Sequence, residues 1–264
     1  MRALAACLLM GAAIATAGEA RRIASYSPAA TRILVDLGRA DRLAGTTRWC
    51  ELPPGHPAER ICDAFAPELE RLVALRPDLV ILPRLANPLL AERLRAAGMR
   101  VEVLAAESPD SPAADIRLLG DLTNAKARAS ELASARHLLR PPSGRRVLII
   151  WDGVLAGPDS YLSWVIRAAG GRPSPTQGLW PEWDAEAVAL TNPDIVLYIH
   201  EAGPALPQAS KARTEEWRSI PGLRSTSCST KGYIFEMRAG SDWLPASGLP
   251  KAAQQLAELL DRHK

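Results

Sequence analysis

The sequence lacks the signatures that would mark a familiar catalyst. No GxSxG, HExxH, P-loop or GxGxxG occurs in its 264 residues, so nothing supplies a nucleophile elbow, a zinc-protease helix or a glycine-rich phosphate cradle. Cysteine is scarce, four in all, and none falls in a CxxC or Cys/His spacing, which removes the usual structural zinc site. No basic run is interleaved with aromatics and the net charge is only +3, so nucleic acid is not an expected partner. Past the first twenty residues no apolar run reaches membrane-spanning length.

What is there begins with an export signal. Met1-Arg2 gives a positive start, Ala3 to Ala17 is small and apolar throughout, and Ala15-Thr16-Ala17 is a small-residue cleavage site, so residues 1–20 read as a secretory signal peptide. Leu4-Ala5-Ala6-Cys7 resembles a lipoprotein acylation box, but the apolar run continues past Cys7, which favours ordinary cleavage. Export places Cys50, Cys62 and Cys228 in an oxidising compartment, where a Cys50–Cys62 bridge would add about 2–3 kcal/mol by closing a short loop; three free thiols are the alternative.

A short pattern occurs twice. Glu70, Pro77, Asp78 and Val80 recur at equal offsets as Glu186, Pro193, Asp194 and Val196; in each copy a helix opening on an acid is stopped by proline and followed by an apolar run of strand length. Two copies are too few for a solenoid. Between them lie two segments of helical periodicity, with Thr123-Asn124 as stop and new N-cap and Pro141-Pro142 as a hard end. The expected architecture is α/β: an N-terminal lobe over 21–110, a helical linker over 111–140 and a C-terminal lobe over 141–264, each lobe with a mostly parallel central sheet. At 47% apolar and 23% charged, the chain can fill two modest cores.

In open α/β sheets ligands collect beyond the carboxyl ends of the strands. The residues falling there include Ser27, Trp49, Pro83 to Asn87, Trp151-Asp152, His200-Glu201 and Asp242-Trp243, with Phe65, Trp180 and Trp183 in long proline-rich loops. Any one tryptophan can be a core anchor; several in such loops point to a cleft that stacks on a large planar or apolar ligand. Trp49, Phe65, Trp151, Trp180, Trp183 and Trp243 are the expected apolar contacts, and Arg84, Asn87, Asp152 and Asp242 the polar ones. Glu70 and Glu186, each in the first turn of a helix, make a pair of anionic knobs suited to a two-fold partner with basic pockets. Asp152, His200 and Asp242 are the one acid/base set an enzyme on this scaffold would have.

These residues resemble a known family. RIASYSPAAT (22–31), GTTRWCELPP (45–54), LERLVALRPDLVI (69–81), and SDW (241–243) followed by AAQQL (252–256) look like the periplasmic substrate-binding proteins of ABC importers for cobalamin, ferric siderophores and haem, nearest the cobalamin branch. That resemblance implies a two-lobed class III binding protein, monomeric, without catalysis, cofactor or resident metal. It further implies ligand contacts at Trp49, Trp180 and Asp242, and docking of Glu70 and Glu186 on an inner-membrane permease dimer. Pro83 stands where that branch often has tryptophan. The bound small molecule is then a corrinoid. A ferric siderophore answered by Arg48, Arg84 and Arg238, or haem reached by His200 or Tyr198, are the alternatives, and a sensor passing the signal to a receptor is a further one.

Overall fold

The computed structural model describes residues 18–61, 69–105, 107–135, 140–175, 177–200 and 206–263. The first lobe runs β1 (Ile23–Ser25), α1 (Pro28–Asp36), β2 (Leu43–Thr46), β3 (Glu59–Arg60), α2 (Leu69–Leu75), β4 (Leu79–Leu82), α3 (Pro88–Ala96) and β5 (Val101–Val103). Its sheet has the order β3-β2-β1-β4-β5 and every pair is parallel. Such a sheet needs helices on both faces, which is why its strands read as unbroken apolar runs. Ile23, Leu79 and Ile81 join one core with Ile33 and Leu34 of α1, while Ala24, Val80 and Leu82 join the other with Leu72 and Leu94 of α2 and α3.

Two linker helices follow, α4 (Ser111–Leu122) and α5 (Lys126–Ser134). They cross closely because Gly120 faces Ala129; a Cβ at Gly120 would collide with the alanine's. The break between them departs from the expected N-cap. Asn124 is left-handed at φ 52° and caps nothing, Thr123 Oγ1 donates back to Leu119 O at 2.6 Å, and α5 starts after Ala125 without a side-chain cap. Thr123 thus ends one helix and Asn124 only turns the chain.

The second lobe contains β6 (Arg146–Trp151), β7 (Val154–Leu155), α6 (Tyr161–Ala168), β8 (Arg172–Pro173), α7 (Ala185–Thr191), β9 (Ile195–His200), β10 (Gln208–Ala209), α8 (Lys211–Ser219), α9 (Ser227–Lys231), β11 (Ile234–Arg238) and α10 (Leu249–Arg262). Its sheet is β10-β11-β9-β6-β7, parallel through β11-β9-β6 and antiparallel at both edges, with β8 adding a short parallel pair to β6. Val147, Ile149, Ile195 and Leu197 pack under α6 and α10, and Leu148, Ile150 and Val196 pack on the other side with Val188 and Trp217.

The chain does not stay on one side after the linker. Ala246 is buried in the first lobe's core and Leu244 packs against it. Around them, Arg32 Nη1 donates to Ser241 Oγ at 2.6 Å and Ser247 Oγ donates to Asp36 Oδ2 at 2.6 Å. Residues 241–247 are therefore a strap from the second lobe onto α1.

Candidate functional site

A cavity of about 540 Å³ opens between the lobes. It lies where the strand-end rule places it, beyond the carboxyl ends of β1, β4, β5 and β6. The first lobe lines it with Ser27, Pro83, Arg84, Leu85 and Leu104, the second with Trp151, Asp152, Val154, Tyr161 and Trp180; Glu107 and Pro245 come from the segments that join them.

Each wall has a local cause. Trp151 ends β6, and Asp152 with Gly153 turns the chain through positive φ, 45° and 85°, into β7. Trp180 is held edge-on against Tyr161 with ring centroids 5.9 Å apart. Tyr161 opens α6 with its N–H donating to Glu107 O at 2.7 Å, which ties the second lobe to the start of the linker. Burial, with Glu107 nearby, pushes the Tyr161 phenol well above its ordinary value, so it stays protonated. Ser27 caps α1, its Oγ accepting from Ala30 N at 3.2 Å.

Of the residues expected in the cleft, Arg84, Trp151, Asp152 and Trp180 line it. Others serve elsewhere. Asn87 sits just beyond the lining as the N-cap of α3, Oδ1 accepting from Leu89 N at 3.0 Å. Trp49 is half exposed, with the Arg48 guanidinium stacked 4.8 Å from its ring centroid, and it lines no part of the cavity. Trp243 is 1% exposed and belongs to the second lobe's core, its Nε1 donating to Gln255 Oε1 at 2.8 Å. Asp242 is held by Lys251 Nζ at 2.7 Å and Arg32 Nη1 at 3.3 Å, an ion pair that spans the lobes in place of the expected ligand contact. Phe65 lies outside the described residues, as does Cys62.

Trp183 borders a second cavity, about 510 Å³, on the other side of the Asp152–Gly153 turn, with Tyr198, His200 and Arg213. Its ring stands edge-on to buried Trp217 at 5.7 Å. Arg213 lies 4.9 Å from the Tyr198 ring centroid, and burial with Glu216 nearby pushes that phenol up to about 12 against the opposing pull of Arg213. Asp152 and His200 share this second cavity, but Asp242 is absent from it, so the acid/base triad is not assembled.

The expected Cys50–Cys62 bridge falls partly outside the described residues. Cys50 is a free buried thiol, its Sγ between Thr31 Oγ1 at 3.1 Å and Thr47 Oγ1 at 3.2 Å. Glu70 and Glu186 are both exposed in the first turns of α2 and α7, the latter helix capped by Asp184 Oδ1 accepting from Glu186 N at 2.9 Å. Sequence reasoning did not single out Glu107 or Tyr161 as cleft residues; only their position at the lobe junction reveals them.

Residues 23–137 match the periplasmic binding protein family. A cobalamin-binding protein of Halobacterium salinarum is 28% identical over 207 residues, covering 70% of this chain and 55% of that protein. A vitamin B12-binding protein of Pectobacterium carotovorum is 29% identical over 132 residues, 48% of each chain. The chain spans about half the length of these curated relatives. Among solved structures, a periplasmic haem-binding protein of Vibrio cholerae matches with TM-score 0.74 at 22% identity, over 90% of this chain and 98% of that one. The vitamin B12-binding protein of the same organism matches with TM-score 0.69 at 20% identity, over 92% and 97%. The two-lobed α/β fold is thus shared with periplasmic binding proteins.

Proposed function

We propose that this chain is a periplasmic substrate-binding protein, exported on a cleaved signal peptide, that captures a corrinoid between its lobes and hands it to the permease dimer of an inner-membrane ABC importer. The observation that carries this reading is the interlobe cavity of about 540 Å³, walled on one side by Trp151, Tyr161 and Trp180 and on the other by Pro83, Leu85 and Leu104. An aromatic wall facing an aliphatic one suits a broad, flat ligand with apolar faces. Relatives bearing cobalamin- and vitamin B12-binding names support the corrinoid within that class.

Haem is less well served. Tyr198 and His200, its expected iron ligands, line the second cavity and not the main one. A ferric siderophore meets a similar difficulty, since Arg48 and Arg238 are not in the lining. The delivery half of the reading rests on Glu70 and Glu186, exposed at equivalent places in the two lobes.

Tryptophan fluorescence of the protein titrated with cyanocobalamin, a ferric siderophore and haemin tests the ligand. Saturable quenching by cyanocobalamin alone is expected; saturation by haemin or the iron chelate alone would keep the class and overturn the corrinoid. For delivery, the Glu70→Arg/Glu186→Arg variant should bind cyanocobalamin normally yet fail to support uptake. Undiminished uptake would remove the two glutamates from the docking surface.

A further inference from the structure

The described residues lining the main cavity include only one cation, Arg84, against two carboxylates, Glu107 and Asp152. Arg84 is already engaged, its Nε 3.4 Å from Glu107 Oε2. The other oxygen, Glu107 Oε1, is shielded from solvent and has no hydrogen-bond partner among the described residues. Glu107 is also fixed in place, because its carbonyl accepts the Tyr161 N–H at the lobe junction. A buried carboxylate oxygen left without a donor is costly, and a ligand donor that meets the carboxylate as it turns toward the cavity removes that cost.

We infer that Glu107 sets the charge class the cleft accepts: it takes an N–H donor from the ligand's rim, so that the site selects a neutral, amide-edged macrocycle and rejects one edged with carboxylates. This rests on the proposal that the interlobe cavity is the ligand site. A rim carboxylate facing Glu107 would set two like charges together against apolar walls with the one lining arginine already paired, which is discrimination by repulsion as well as by attraction. An amide in the same place donates where the carboxylate cannot. The same arithmetic opposes haem, whose edge carries two propionates, without any contact to its metal.

The experiment compares cyanocobalamin with its monocarboxylates, made by mild acid hydrolysis of single peripheral amides, by fluorescence titration at neutral pH. The full-length mature protein should bind cyanocobalamin about tenfold or more tighter than at least one monocarboxylate, the size expected of one misplaced charge. Glu107→Gln, nearly isosteric, should narrow that ratio to about twofold, as the repulsive charge is gone. Arg84→Ala, at an exposed side chain, frees the second oxygen of Glu107 and should widen the ratio. Tight cyanocobalamin binding with no preference over any monocarboxylate, or with a preference that neither variant moves, would overturn the role of Glu107 and leave the corrinoid reading intact. Absence of cyanocobalamin binding by the unaltered protein would overturn both.

Discussion

The two copies of the glutamate-to-aspartate pattern do the same structural job by different means. In the first lobe Asp78 accepts from Arg21 N at 2.8 Å and Arg22 N at 3.0 Å, while the Arg22 side chain reaches Leu75 O, the end of α2, at 2.6 Å. In the second, Asp194 accepts from Arg146 N at 2.9 Å and also takes the Arg146 guanidinium at 3.1 and 3.0 Å, while Arg146 Nη1 reaches Thr191 O, the end of α7, at 3.1 Å. Both aspartates tie the end of a helix to the entry of the neighbouring strand. Only the second adds a two-pronged ion pair, and it is the less exposed of the two. The lobes also divide the cleft: among the described residues, every aromatic side chain lining it comes from the second lobe, while the first offers Pro83, Leu85 and Leu104. The repeat therefore encodes a shared frame, and the ligand-facing surface has diverged on top of it.

The sharpest break in that comparison is expected at the cleft. Trp180→Ala should weaken corrinoid binding by about 2–3 kcal/mol, the scale of a central aromatic contact. Leu85→Ala, directly on the opposing wall, should cost about 1 kcal/mol, the scale of a single buried methylene. Isothermal titration of both variants measures the difference. Equal losses would mean that the two walls share the ligand evenly and that the aromatic asymmetry is incidental.

Much of this frame is legible in the sequence because it depends on local rules. Proline after α2 and α7, apolar runs at β4 and β9, and the half-buried periodicity of α4 are each set by neighbours within a few residues. The site is less legible. The strand-end rule names an end of the sheet but not which face of a loop is turned inward: Trp151 and Trp180 line the interlobe cavity, Trp183 borders a second one and Trp243 fills the core. Nor does the rule foresee that Asp242 is engaged by Lys251 and by Arg32, the latter more than two hundred residues away. Glu107 carries no motif, and becomes significant only when two lobes meet across it.

The next effect is smaller and separates the two aspartates. Asp194→Ala should destabilise the fold by about 2 kcal/mol, because it strands a partly buried arginine and a strand N–H together. Asp78→Ala, exposed and limited to backbone donors, should cost about 0.5–1 kcal/mol by urea unfolding. Acid sharpens the contrast. Burial alone would raise the Asp194 carboxyl, but its bonds to Arg146 outweigh that and hold it below the ordinary value. Its contribution is therefore complete above the unfolded carboxylate pKa of about 3.9 and drains away as pH falls through the lower folded value. The stability gap between the unaltered protein and Asp194→Ala should shrink across that acid window; a gap constant with pH would mean that Arg146 is not answering a charge.

The finest difference sits one residue before each proline. Arg76 and Asn192 occupy equivalent places, and both are left-handed, at φ 46° and 47°. Asparagine tolerates that conformation and here gains from it, its Oδ1 accepting from Ser227 N at 2.7 Å. Arginine pays the steric cost of the left-handed region without such a side-chain hydrogen bond among the described residues, so Arg76→Asn should stabilise the first lobe by about 0.5 kcal/mol. The reverse exchange, Asn192→Arg, should destabilise by about 1–2 kcal/mol, since it adds strain and removes a hydrogen bond at once. Paired urea curves on the two variants decide it. Opposite signs mean that the second copy has the better-adapted turn; two losses would mean that Arg76 is held in place by contacts that outweigh its backbone strain.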